Sequence, residues 1–274
     1  MLRMLVFVSC VYIFASVNIL VKAANVAPAP QAICEDTVSL INTPNENGET
    51  SLHIAARYGY VNLTEQMVES GANVSIQNKD GDAAIHIAMK HNNTNTVIAL
   101  MKNKESLTAV NKEGQTALFF AVINNNFYMV TILVENGADV QFKRKDGATV
   151  LHLAVLQENL EIVKYLLSNG ADVSTLPDKG RSLLEIALNS KNQKLIELLI
   201  RRGADPNRPD SKGNTLLHTA IIQRNASVIQ LLIKNGADVK IKDKEGNNAL
   251  QLAIKEGLPD IANLIISISD EKCK

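Results

Sequence analysis

The most constraining feature of this sequence is a set of glycines spaced 33 residues apart, at Gly48, Gly81, Gly114, Gly147, Gly180, Gly213 and Gly246. Four residues after each glycine stands a leucine or isoleucine, and seven residues after it always stands an alanine. A fixed period of this length is typical of small structural units stacked in a row. The chain from residue 46 onward is therefore predicted to form one elongated stack, not a globular domain around a single cleft.

The fourth unit illustrates the structure predicted for all of them. Gly147 closes a tight turn, and Thr149 follows where a helix N-cap belongs, with His152 placed to bond back to that cap. A second apolar helix begins at Leu160 and ends at Gly170, because glycine readily adopts the left-handed conformation after a helix. Each unit is too thin to bury its own apolar side, so stacking must supply the core.

These motifs resemble the ankyrin repeat, in which Thr-x-Leu-His opens the first helix and Gly-Ala-Asp follows the second. The resemblance covers about five-sixths of the chain and implies an all-α solenoid of helix–turn–helix units joined by extended loops and β-turns. It places the domain at 46–274, with repeats starting near residues 46, 79, 112, 145, 178, 211 and 244. One departure is Lys104, which stands where a closing glycine belongs. A left-handed lysine is costly, so that loop is predicted to take another path.

The residues before the stack have a different character. A basic start at residues 1–3 precedes an uncharged apolar run over residues 4–21, and Val21-Lys22-Ala23 provides a cleavage motif. This pattern predicts a signal peptide at 1–23 and a secreted protein, with 24–45 as tether and lead-in to the repeats. The alternative is an uncleaved signal anchor, because the run is just long enough to span a bilayer. The protein would then be a membrane-anchored or ER-lumenal scaffold.

Charge and motif content narrow the class of function. Loss of Arg3 and Lys22 leaves 26 basic against 28 acidic residues, a net charge of −2, with both signs interspersed. Such a chain is not expected to bind nucleic acid, or a membrane once the signal is cleaved. No phosphate loop, nucleophile elbow or zinc motif occurs, so neither catalysis, cofactor nor metal is expected. A toxin-like, membrane-targeting role is disfavoured, because no second hydrophobic segment exists.

Four of the five histidines occupy one position of the repeat: His53, His86, His152 and His218. Stacked units hold them roughly 10 Å apart, which is too far for a shared metal ion. They are therefore predicted to bond at helix starts.

Two cysteines and several Asn-x-Ser/Thr sequons are candidates for disulfide formation and glycosylation in an exported protein. Cys34 and Cys273 flank opposite ends of the stack, too far apart to pair within one chain. They are candidates for an intermolecular disulfide and a homodimer, the alternative being incidental tail residues. Asn62, Asn92 and Asn225 lie in the turns between helices and are candidate glycosylation sites. Asn73 follows a closing glycine in a tighter place, and full occupancy is not expected there.

The resemblance implies that the protein recognises another protein through a concave surface of loop tips and first helices. Residues nine and ten positions after each glycine fall on that surface and follow no single residue type. Their apolar and aromatic members are the candidate contacts: Tyr58, Ile123, Leu156 and Ile222. The alternative is that single exposed aliphatic residues have no special role. The last helix, over 259–268, is apolar where a terminal repeat is usually polar.

Overall fold

The structure is a computed structural model, which describes residues 38–177, 181–190, 192–210 and 212–271. No strand occurs in these ranges, so the all-α prediction is confirmed. Residues 38–42 are helical. The helices that follow are α1 (Ser51–Tyr58), α2 (Val61–Glu69), α3 (Ala84–Lys90), α4 (Thr94–Leu100), α5 (Glu105–Thr108), α6 (Ala117–Ile123), α7 (Phe127–Glu135), α8 (Val150–Leu156), α9 (Leu160–Ser168), α10 (Leu183–Ser190), α11 (Gln193–Arg201), α12 (Leu216–Ile222), α13 (Ala226–Lys234), α14 (Ala249–Lys255) and α15 (Pro259–Glu271).

These helices form consecutive pairs that stack into two layers. The first helices α1, α3, α6, α8, α10, α12 and α14 contact one another in that order and make the inner layer. The second helices make the outer layer, with contacts between α2 and α4, α7 and α9, and α11 and α13. In the described ranges, the single turn α5 and the short helix over 38–42 stand outside the pairing. Each pair contacts mainly its neighbours, so the described part of the chain is a solenoid.

Local sequence determines where the helices begin and end. In the fourth pair Thr149 and His152 form the predicted capping box of α8. The side chain of Asn159 then caps α9 by accepting from the Ile162 N–H at 2.9 Å. Gly170 follows α9 with a φ of +88°, in the left-handed region that glycine adopts at little cost.

Small residues let the inner helices approach closely. The alanine seven residues after each register glycine is wholly buried in every pair: Ala55, Ala88, Ala121, Ala154, Ala187, Ala220 and Ala253. A larger side chain at these positions would force the two helices of a pair apart, at a typical cost of about 1–3 kcal/mol. The aliphatic residue four positions after the glycine fills the space between neighbouring pairs and is buried in all but the last.

The turn glycines are also sites of close approach between neighbouring pairs. Gly81 has a φ of +82°, and a Cβ placed on it would lie 3.0 Å from the backbone nitrogen of Lys112 in the next turn. At Gly246, the same position of the last pair, φ is +85° and nothing lies within 4 Å of such a Cβ. Gly81 and Gly246 have the same backbone conformation, but only Gly81 packs against a following turn.

We expect Gly81→Ala to lower the free energy of unfolding by about 1–3 kcal/mol more than Gly246→Ala does. Both variants carry the strain of alanine at positive φ, but only Gly81→Ala also collides with the next turn. Urea denaturation of both variants measures the difference. Equal losses would show that the turns are not held against each other.

The predicted departure at Lys104 is confirmed. Lys104 has a φ of −63°, and the loop continues into the single turn of α5. Ser106 and Leu107 of that turn are buried, and the Ser106 hydroxyl donates to the carbonyl of Leu100 at 2.8 Å. Leu107 stands at the repeat position of Val74 and Val140, which are buried after a closing glycine, so the extra turn keeps that position buried.

The N-terminal end of the stack is covered by residues of the predicted lead-in. Ile41 is buried and belongs to the apolar core, and the Asn42 side chain accepts from the Asn73 N–H at 2.8 Å. The predicted signal peptide over 1–23 lies outside the described residues. None of the helices in the described ranges is both long enough and apolar enough to cross a bilayer.

Candidate functional site

Three of the repeated histidines, His53, His152 and His218, link their pair to the next, as the prediction of a structural role requires. His53 Nδ1 accepts from the Thr50 N–H at 3.1 Å, which leaves the proton on Nε2 to bond the Asp82 carbonyl at 3.0 Å. His152 repeats the arrangement, with its Nε2 3.1 Å from the carbonyl of Thr175. Each ring thus caps its own helix and holds the loop of the following pair.

Burial favours the neutral form of these rings. Desolvation lowers the pKa of His53, His86 and His152 below its ordinary value. His86 Nδ1 accepts from the Ala83 N–H at 3.0 Å, but its buried Nε2 has no partner within hydrogen-bond distance. In the described part of the chain, no three His, Cys, Asp or Glu side chains are grouped to hold a metal ion.

The candidate protein-binding surface lies along the ends of the inner helices. We name as the inner row the residues nine positions after each register glycine: Arg57, Lys90, Ile123, Leu156, Asn189, Ile222 and Lys255. Arg57 is half-buried and the other six are exposed. Because consecutive first helices pack side by side, the row runs along the stack with one residue from each pair.

The centre of the inner row is apolar. Ile123 is 39% exposed and Leu156 in the adjacent pair is 62% exposed. Leu153 lies three residues before Leu156, on the same side of α8, and is half-buried. Ile186 of α10 occupies the equivalent position in the next pair and is also half-buried. These four side chains widen the predicted pair of contacts into a strip across three inner helices. Leu153 and Ile186 were not among the predicted contacts, although each stands three residues before a member of the row, which is the spacing that marks them.

The N-terminal end of the inner row exposes two cationic side chains, each of which is paired with a buried acid. Arg57 pairs with Glu49, whose side chain is nearly buried. Lys90 pairs in the same way with the buried Asp82, and its Nζ lies 5.6 Å from the centre of the Phe120 ring. In both pairs the base faces solvent and the acid lies beneath it. The eight-residue separation of acid and base was visible in the sequence, but the contact depends on how the turn folds back.

Amide side chains along one edge hold the inner row in place. Gln157 donates to the carbonyl of Ile123 at 3.0 Å, and Asn124 donates to the carbonyl of Met89 at 3.3 Å. Each bond joins the end of one inner helix to the end of the preceding one. The surface is therefore supported by rigid elements, which reduces the ordering cost of binding.

The two remaining candidates lie toward the ends of this surface. Tyr58 is exposed beside Arg57 and stacks on Tyr60, with ring centres 5.8 Å apart. Ile222 is exposed two pairs beyond Leu156, separated from it by Asn189. Tyr58 lies two pairs before Ile123 and Ile222 two pairs beyond Leu156, so neither adjoins that apolar pair within the row.

The candidate glycosylation sites differ in exposure. Asn62 and Asn92 are exposed. Asn225 is half-buried, and its Oδ1 accepts from the Val228 N–H at 3.2 Å as the N-cap of α13, which leaves the amide nitrogen for a glycan. Asn73 is exposed as well, so exposure alone does not rank it below the others. Cys34 and Cys273 lie outside the described residues.

The last pair presents apolar residues at its outer end. Ile254 and Ile266 are exposed, and Leu250 is half-buried. Their equivalents in earlier pairs pack against the pair that follows, whereas no described residue follows α15. The apolar character predicted for this helix is therefore present on an end face.

Comparison with known proteins places the chain in a family. A family model described as ankyrin repeats, in three copies, matches residues 16–109, 52–144, 86–177, 132–210 and 183–274 in overlapping windows. A search of curated proteins found no match. Among solved structures, the crystal structure of the ankyrin repeat domain of Bcl-3, described as a unique member of the IkappaB protein family, superposes with a TM-score of 0.71. It is 28% identical, and the match covers 80% of this chain and 100% of that one.

The fold is common, since 581 solved chains match, and it does not by itself select a partner. The family model and the stacked helix pairs agree over most of the sequence. The chain therefore belongs to the ankyrin-repeat family.

Proposed function

We propose that this protein is a non-catalytic module that binds another protein through the apolar centre of the inner row. The observation that carries the proposal is the exposed pair Ile123 and Leu156, which lie on adjacent inner helices whose ends are joined by a hydrogen bond. Exposed aliphatic residues at the centre of a rigid, otherwise polar surface are typical of contacts that dominate binding energy. Ankyrin-repeat domains act as binding scaffolds, and the similarity to the Bcl-3 domain supports such a role here.

The proposal extends to where the protein works. We propose seven ankyrin repeats behind a signal peptide at 1–23, and hence a secreted protein that meets its partner outside the cell. The apolar run over residues 4–21 and the cleavage motif after it support export. Glycans on Asn62, Asn92 or Asn225 and intermolecular pairing of Cys34 or Cys273 belong to the same proposal, because both require the secretory route.

The test is a double substitution, Ile123→Asp with Leu156→Asp, in the full chain. We expect it to weaken capture of the partner by at least about a hundredfold, because two buried contacts become two desolvated charges. Partner capture by the wild-type chain, quantified by mass spectrometry, is the reference. Both residues are exposed in the free protein, so the helical circular dichroism should not change.

A matched control exists on the outer layer. Ile98 is 38% exposed on α4 and Tyr128 is 60% exposed on α7, close to the values for Ile123 and Leu156. The double variant Ile98→Asp with Tyr128→Asp should retain capture. If the control loses capture as the test variant does, or if both retain it, binding does not occur through the inner row.

A further inference from the structure

We infer that the partner presents an acidic amphipathic α-helix to the inner row, with carboxylates toward Arg57 and Lys90 and aliphatic residues on Ile123 and Leu156. This inference rests on the proposed function and specifies the kind of partner that the same surface takes. Three observations carry it: the order of residue types along the row, the burial of the acids beneath the bases, and the spacing of the inner helices.

The order of residue types is a charge pattern. From the N-terminal end the row reads basic, basic, apolar, apolar, polar, apolar and basic, and contains no acidic residue. A partner segment with carboxylates at one end and aliphatic side chains in the middle would therefore meet complementary groups at four consecutive positions. A basic segment would meet like charges at Arg57 and Lys90.

Burial of the acids makes the basic end available. The Asp82 side chain is 3% exposed and the Lys90 side chain 43%, while the Glu49 and Arg57 side chains are 7% and 34% exposed. An incoming carboxylate can therefore reach the exposed side of Lys90 without displacing Asp82. The Lys90 ammonium has three N–H donors, so it can donate to Asp82 and to the partner's carboxylate at the same time.

The spacing of the row fits a helix. Packed α-helices lie about 8–10 Å apart, and consecutive inner helices are packed against one another. Seven residues of an α-helix span about 10.5 Å and return to nearly the same side of the helix. In a partner helix lying along the row, successive heptads would thus each place one side chain on successive helix pairs of this protein.

Other backbone geometries fit less well. Side chains on one side of a strand recur about every 6.7 Å. This repeat is shorter than the spacing of the inner helices, so not every side chain on that side would meet a residue of the row. A polyproline segment repeats at about 9.3 Å and matches the spacing, but its usual receptor is a groove lined by aromatic rings. The centre of the inner row is aliphatic, at Ile123, Leu153, Leu156 and Ile186.

The test uses synthetic helical peptides of about four heptads. The first peptide carries Glu, Glu, Leu and Leu at the same position of four successive heptads. The second carries the reverse order, because the direction of the bound helix is not defined. The third has Lys in place of Glu. A fourth is a proline-rich peptide with Leu at every third residue. Binding of each to the full chain is measured by fluorescence anisotropy at low and physiological salt.

We expect one of the two acidic peptides to bind about tenfold more tightly than the Lys peptide at low salt, with the advantage shrinking as salt rises. The Ile123→Asp, Leu156→Asp chain should lose this binding, and the Ile98→Asp, Tyr128→Asp chain should keep it. Equal binding of the acidic and Lys peptides, tighter binding of the proline-rich peptide, or no effect of Ile123→Asp with Leu156→Asp would overturn the inference.

The two proposals can fail separately. If Ile123→Asp with Leu156→Asp abolishes partner capture while no acidic peptide is preferred, the inner row is still the binding surface and the partner is not an acidic helix. If partner capture is unaffected, the proposed function fails, and the peptide result cannot rescue it.

Discussion

Phe119→Ala should lower the free energy of unfolding by about 3–5 kcal/mol, the largest effect expected from any single substitution considered. Phe119 is 1% exposed and stands where four other pairs carry the capping histidine. Its ring belongs to the apolar core that runs through the described pairs, and in a solenoid the packing between neighbouring units supplies the stability. Equilibrium urea denaturation, followed by helical circular dichroism, measures the loss.

The control for this prediction lies in the same pair. Tyr128 is an aromatic residue on α7 that is 60% exposed, so Tyr128→Ala should cost less than about 1 kcal/mol. Similar losses for Phe119→Ala and Tyr128→Ala would mean that Phe119 is not part of a packed interface between pairs.

The second large effect is acid destabilisation. The free energy of unfolding should be nearly constant above about pH 7.5, where imidazole is neutral in both states, and should fall as the pH decreases through the unfolded-state pKa of about 6.5. Desolvation lowers the native pKa of His53, His86 and His152, so the unfolded chain binds more protons in this window. Protonation would also break the bonds in which each Nδ1 accepts a backbone N–H.

Urea midpoints measured from about pH 7.5 to 5, with NMR titration of the imidazole C–H signals, test this expectation. Asp146 does not contribute to the pH dependence in this range. Arg144 holds its pKa at about 2, so its contribution to the free energy of unfolding is lost only below the pH range in which the histidines titrate. Buried imidazoles that titrate at or above about pH 6.5 would contradict the account.

The repeat unit could be predicted from sequence because its determinants are local. The 33-residue period located the turns, and the capping box of Thr149 and His152 follows from residues three apart. The path at Lys104 was also predictable, because a missing glycine removes the usual helix end. The alanine that recurs seven residues after each glycine is buried in every pair, so the period also located this part of the core.

The chemistry of the candidate surface was harder to predict because it depends on contacts between distant parts of a pair. The sequence places Asp82 eight residues before Lys90, but only the folded turn buries the acid beneath the base. The partial exposure of Leu153 and Ile186 depends on how far neighbouring helices cover them. Residues 38–42 show no repeat period, so their helix and the burial of Ile41 could not be read from the pattern.

Site-specific photo-crosslinking tests the central claim, recognition through the inner row, most directly. A photoreactive phenylalanine analogue replaces Ile123 in one chain and Ile98 in another, two positions of nearly equal exposure on opposite layers. The account predicts a covalent adduct with the captured partner from position 123 and none from position 98. An adduct from position 98 alone, or equal yields from both positions, would contradict it.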